Sequence, residues 1–189
     1  MDNTLPQGSK ITIDTVSGHQ QILVPHGSAG FMRYFIGIFL LFWMGGWFMG
    51  FTSAFSTITS GEGDTYLMFW LGGWSLGGLF AGYMIYRVFQ KSIPEQLLLN
   101  CPSLSLDTGV PPMKMDFGMR SQKEYWKSIF PKRKRIEFTP SDLKTMKLRE
   151  TDSGNRLTID KGAERIEIAI AATEIEKEWL FRHLQKIYL

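Results

Sequence analysis

A membrane-embedded α-helical hairpin joined to an α+β soluble domain is the fold class predicted by this 189-residue sequence. Three observations predict it. First, a nine-residue pattern occurs twice, as Phe42-Trp43-Met44-Gly45-Gly46-Trp47-Phe48-Met49-Gly50 and as Phe69-Trp70-Leu71-Gly72-Gly73-Trp74-Ser75-Leu76-Gly77. Both copies lie in uncharged apolar runs, Tyr34 to Phe55 and Tyr66 to Tyr86, each about the twenty residues a spanning helix needs. Second, short segments of alternating polarity occur on both sides of these runs. Third, an amphipathic helical stretch follows the last of them.

Taken in order, residues 1–30 read as a β-hairpin. Lys10 to Asp14 alternates, Ser17-Gly18 turns, and Gln21 to Val24 returns before Pro25. Two strands alone are marginal in water, so this hairpin is expected to join a larger sheet. The stretch has no apolar core of signal-peptide length, and the first helix is expected to be its own insertion signal. Residues 31–89 form the helical hairpin, with spans at about 34–55 and 66–86 and a ten-residue loop, Ser56 to Thr65, between them. A pivot near Ser60 sets Trp74 level with Trp47 and Gly46, and Trp43 level with Gly78. Gly46 and Gly50, like Gly73 and Gly77, are four apart, which puts small residues on one helix face for close packing. These four are the expected helix-packing residues. Trp43, Trp47, Trp70 and Trp74 are expected to face a second protein, because tryptophan is commoner at membrane interfaces than at mid-depth.

The loop carries Glu62 and Asp64 and no basic residue, whereas Arg33, Arg87 and Lys91 lie at the other ends of the helices. Positive-inside asymmetry therefore places both termini in the cytoplasm, in a cytoplasmic-type membrane of the inner or thylakoid-like kind. Arg87 is close enough to the helix end to snorkel to the interface.

Residues 90–189 supply strands at Gln96 to Asn100, Ser103 to Asp107, Arg135 to Phe138 and Leu143 to Arg149, with a less regular stretch around Met113 to Met119. The clearest hairpin pairs Arg156 to Asp160 with Arg165 to Ile170 around Lys161-Gly162. Leu157, Ile159, Ile166, Ile168 and Ile170 are expected to face inward. A closing helix starts at Thr173, where Glu176 completes a capping-box pattern. Its apolar stripe is Ile175, Trp179, Leu180, Leu184 and Ile187.

This order of strands and one final amphipathic helix resembles the pleckstrin-homology-like fold. There, an antiparallel β-barrel or bent sheet is closed by a C-terminal helix. The resemblance spans Gln96 to Leu189, with Lys10 to Val24 added to the sheet. Two membrane spans attached to such a domain also resemble small bacterial and plastid-type membrane proteins. The overall plan is similar to that of the photosystem I assembly factors, without a residue-level match.

No catalytic constellation is present: no Gly-x-Ser-x-Gly, no phosphate loop ending in Gly-Lys-Ser/Thr, no His-Glu-x-x-His. The chain reads as a non-enzyme without a cofactor or metal. His19, His26 and His183 fit no zinc spacing, and the single cysteine, Cys101, excludes an internal disulfide. From Arg87 onward, 19 Lys and Arg face 14 Asp and Glu, and Lys132, Arg133, Lys134 and Arg135 stand together. That run is either a solvated loop or a contact for anionic lipid or an acidic partner, at roughly 1 kcal/mol per cation near a membrane. Four clustered cations on a membrane tether are too small a footprint for nucleic acid. The first expectation is an accessory or assembly subunit docking on a larger membrane protein complex, or on further copies of itself. The alternative is an anionic-lipid-binding or signal-gated membrane effector. Spans without ionisable residues speak against a transporter.

Overall fold

The computed structural model describes residues 5–16, 18–27, 30–113, 122–152 and 154–189; of residues 122–125 it describes the backbone alone. The chain is mixed α and β, with two antiparallel sheets and five helices among the described residues. It divides into two compact units, one of residues 1–27, 92–111 and 131–189, the other of residues 28–91 and 112–130.

The first unit holds all the strands. β1 (Thr12–Val16), β2 (His19–Val24), β3 (Glu95–Asn100), β4 (Ser103–Asp107) and β5 (Arg135–Phe138) form one five-stranded sheet in that order. The N-terminal hairpin is thus part of the larger sheet, with Ile22 opposite Leu97. Period-two alternation sends Leu97, Leu99, Leu104 and Leu106 to one face, where all four are buried. β6 (Lys147–Arg149), β7 (Arg156–Lys161) and β8 (Glu164–Ile168) form a second, three-stranded sheet. Gly162, in a left-handed conformation with φ 59°, turns the chain between β7 and β8.

Helix α5 (Glu174–Tyr188) packs Leu180 and Leu184 onto the inner faces of both sheets, in one core with Phe138, Leu157, Ile159 and Ile168. Truncating such a leucine to alanine typically costs about 2–5 kcal/mol. The two sheets share no ladder among the described residues, so they face each other as an open pair and not as a closed barrel. The cause lies after β5. Thr139 caps α4 (Pro140–Leu143) with a reciprocal capping box to Asp142, and Pro140 starts the helix. This turn carries the chain off the first sheet, and the strand expected over Leu143–Arg149 shortens to Lys147–Arg149.

Two apolar positions expected inside are exposed. Ala169 takes a positive φ of 54°, which breaks the alternation after Ile168 and turns Ile170 outward. Ile175 sits in the first turn of α5, beyond the sheets, and is 68 % exposed.

Glu176 ties the N-terminal segment to α5. Its carboxylate accepts from Ser9 Oγ, Lys10 N and Thr173 N, each at 2.8 Å. Burial opposes ionisation, but donors from Thr173, Ser9 and Lys10 outweigh it and hold this carboxyl at about 2.

The second unit is built on α1 (Met32–Thr59) and α2 (Thr65–Phe89). Only α1, among the described residues, is long and apolar enough by length and composition to cross a membrane. α2 has the length, but its glycines, tyrosines and tryptophans lower its hydropathy. Residues 112–130, expected with the sheets, group with the helices. Most of the irregular stretch around Met113 to Met119 lies outside the described residues. Beyond it, α3 (Gln122–Ile129) seats Ile129 against Val88 and Met113. Tyr83 donates its hydroxyl to Ile129 O at 2.9 Å, and Arg87 donates to Gln90 Oε1 at 3.0 Å and to Ser128 O at 3.3 Å. Arg87 is therefore 1 % exposed and does not reach outward as a snorkelling residue would.

Candidate functional site

The helical hairpin carries the aromatic and glycine residues singled out by the repeat. Its turn uses Gly61 at φ 84° and the Asp64 side chain, which accepts from Leu67 N at 2.8 Å and caps α2. The two helices are locked at mid-length by a reciprocal pair of hydrogen bonds. Trp47 Nε1 donates to Trp74 O at 3.1 Å, and Trp74 Nε1 donates to Trp47 O at 3.5 Å. These tryptophans are level with each other, as the pivot near Ser60 requires, and they occupy corresponding positions in the two copies of the repeat.

The contact line between the helices differs from the expected one. A Cβ on Gly78 would collide with Cζ2 of Trp47, and one on Gly37 would collide with Cζ of Phe89. Trp47, not Trp43, covers Gly78. Of the expected packing glycines, Gly50 touches the sister helix, with Trp74 Cζ2 3.8 Å from its Cβ position. Gly46, Gly73 and Gly77 have no such neighbour within 4 Å. The reason is angular. Successive residues of an α-helix lie 100° apart, so once Trp47 and Trp74 point inward, Gly46 and Gly73 turn aside. On α2 the seam is Leu71, Trp74, Gly78 and Ala81, a three-four spacing like that of a coiled coil.

The outward glycines floor two apolar grooves. One, of about 810 Å³, is lined on α1 by Phe39, Phe42, Trp43, Gly46 and Trp47, with Trp74 across the seam. The other, of about 500 Å³, is lined on α2 by Tyr66, Phe69, Trp70, Gly73 and Trp74, with Trp43 and Trp47 across it. The first set maps onto the second by the 27-residue offset of the repeat. The hairpin thus has a pseudo-two-fold axis between Trp47 and Trp74. Trp43 and Trp70 are 42 % and 37 % exposed in these grooves, and Trp70 stacks on Trp74 at 4.6 Å. The four tryptophans accordingly divide into an inner pair closing the seam and an outer pair bordering open grooves.

The basic run is more neutralised than its composition suggests. Arg133 Nε donates to Asp107 Oδ1 at 2.8 Å, and its Nη2 to Oδ2 at 2.7 Å. Arg135 Nε donates to Asp107 Oδ2 at 3.0 Å, and Lys134 Nζ lies 3.6 Å from Glu164. Lys132 has no ion pair among the described residues. Arg133 holds the Asp107 carboxyl at about 2, with further help from Gly109 N and Arg135. Asp107 and Glu176 are both depressed, so each contributes stability that is present above pH 4.5 and is lost as pH falls toward 2. Acid titration followed by far-UV circular dichroism should therefore show the sheet unit losing structure below about pH 4. Asp107→Asn should flatten part of that loss. An Asn variant with the parent's acid profile would remove Asp107 from the account.

Among the described residues no group of three or more His, Cys, Asp and Glu could hold a metal ion. The chain matches no family model, no curated protein and no solved structure.

Proposed function

We propose that this chain is a non-enzymatic accessory or assembly subunit that docks on a larger membrane protein complex through the outer face of its helical hairpin. The observation that carries the reading is the pair of glycine-floored grooves beside Trp43 and Trp70, left open by a hairpin that already closes its own seam. In lipid no water is expelled when helices meet, so association depends on close backbone approach and interdigitated side chains. Grooves floored by Gly46 and Gly73 supply that approach. In this reading α1 and α2 both cross the bilayer, because a lone apolar helix would leave α2's exposed Phe69, Leu76 and Leu79 in water. In the same reading both termini are cytoplasmic, supported by basic residues at the outer ends of the helices and their absence from the loop between them.

The sheet unit is read as pleckstrin-homology-like on its element order, with α5 packed across two antiparallel sheets. The lipid-binding alternative has less to draw on. Arg133 and Arg135 share the Asp107 carboxylate, which leaves Lys132 as the cation without an ion pair among the described residues.

Filling the grooves tests the docking reading. Gly46→Leu and Gly73→Leu should leave the protein folded and inserted, since a Cβ at either position meets no atom within 4 Å and opens onto a groove. Both should abolish recovery of the companion proteins that copurify with the parent in mild detergent. A parent that purifies without any companion, or leucine variants that keep every companion, would sink it.

A further inference from the structure

β3 begins with an acidic residue on its inward face. Glu95 precedes Leu97 and Leu99 on the buried side of the strand and is 3 % exposed. Its Oε1 accepts from Ala169 N at 2.7 Å, and its Oε2 accepts from Ile170 N at 3.3 Å. A carboxyl of the five-stranded sheet thus holds the chain just past β8 of the three-stranded sheet. It holds that chain where Ala169 sits at φ 54°, a region L-residues rarely occupy unless their surroundings impose it. The elements around Glu95 offer little charge compensation. β8 contributes Glu167, and β2 places Val24 opposite. α5 contributes Lys177, whose Nζ is engaged with Asn155 O at 2.9 Å and lies 3.9 Å from Glu167. Among the described residues no cationic nitrogen lies within 4 Å of the Glu95 carboxyl.

We propose that Glu95 is a proton-operated latch between the two sheets: neutral, it stays in the core and fastens the Ala169–Ala172 turn, and ionised, it draws in water and releases that turn. Burial pushes this carboxyl up to about 7, against the pull of the Ala169 and Ile170 amides and Lys177, and with Glu167 adding to the rise. A folded-state value above the ordinary one means the closed form binds the extra proton. Its stabilisation is complete below the ordinary carboxylate range and is lost as pH rises to about 7. The turn leads directly into Thr173 and α5. Near neutral pH, the latch therefore sets how firmly the start of that helix is seated. This inference is independent of the docking reading.

Hydrogen exchange at the amides of residues 169–173 tests it, with full-length protein in detergent micelles between pH 5 and 8.5 and rates corrected for chemical exchange. Opening should rise about tenfold per pH unit up to roughly pH 7 and then level off. Glu95→Gln keeps an acceptor for Ala169 N but cannot ionise, so its opening should be independent of pH. Glu167→Gln removes a neighbouring negative charge and should move the levelling-off to lower pH. It also decides the matter if Glu95→Gln does not fold. A parent with flat opening, a Glu95→Gln profile like the parent's, or an unmoved profile in the Glu167→Gln variant would each overturn the latch.

Discussion

Replacing Gly78 with leucine is expected to break the helical hairpin, the largest effect of any single substitution in the second unit. Even a Cβ there would lie closer than 3.0 Å to three atoms of the Trp47 indole. That ring cannot swing aside freely, because its Nε1 is hydrogen-bonded to Trp74 O and it stacks on Phe51 at 5.3 Å. Overpacking usually costs about 1–3 kcal/mol, and a leucine against a pinned indole belongs at or above the top of that range. Gly37 is the informative contrast. Its close neighbour is the far end of Phe89, a side chain 45 % exposed and able to rotate away, so Gly37→Ala should be tolerated. A Cβ at Gly46 meets no atom within 4 Å, so Gly46→Leu extends into an open groove and should stay within about 0.5 kcal/mol of the parent. Unfolding in mixed micelles, followed by tryptophan emission, would rank the three. The seam as described is wrong if Gly78→Leu unfolds with the parent's midpoint.

Among the polar side chains of the sheet unit, Glu176→Ala should cause the largest single loss. One carboxylate satisfies two backbone amides, Lys10 N and Thr173 N, and two hydroxyls, those of Ser9 and Thr173. Its removal dissolves the α5 capping box and frees the segment leading into β1. Each donor left without a partner costs about 1–3 kcal/mol, with water recovering part of this at the half-buried Ser9 and the exposed Lys10. A net loss of about 2–4 kcal/mol is expected. Trypsin should then cut at Lys10 in the variant while sparing it in the parent. Glu176→Gln retains an acceptor and should lose less. Resistance at Lys10 together with an unchanged urea midpoint would show that the N-terminal strands are held by pairing to β3 alone.

Local signals make much of the sheet unit readable in advance. The alternation of Leu97, Leu99, Leu104 and Leu106 and the Thr173–Glu176 capping box each act over a few residues. The need of β1 and β2 for a third strand is also readable, because two strands cannot bury Ile22 and Val24. What escapes a sequence reading depends on distance or on angle. Asp107 captures arginines 26 and 28 positions away, which no local pattern announces. Arg87 reads as a helix-end cation until Ser128 O is seen to cover it. The seam departs from its expected line because α1 is apolar all round, so its glycine spacing has no polar face to fix its rotation. The three-four spacing of Leu71, Trp74, Gly78 and Ala81 is the better guide. Glu95 is legible in principle, as an acid falling on the inward parity of an alternating strand.

The placement of β1 and β2 beside β3 also sets the order in which the protein can be made. On the ribosome the first two strands emerge well before their partners, with 70 residues of chain separating Val24 from Glu95. Glu176, which holds Ser9 and Lys10, follows some 80 residues later still. At about 5–20 residues per second, the N-terminal hairpin waits on the order of ten to thirty seconds for α5. Until then the core around Ile11, Ile22 and Val24 lacks Leu180 and Leu184 of α5, and on the proposed membrane reading the hydrophobic helices are already competing for insertion. The sheet unit is therefore completed late, and a ribosome stalled before residue 174 should hold a chain with a protease-sensitive N-terminus, its helical hairpin inserted if the proposed membrane reading holds.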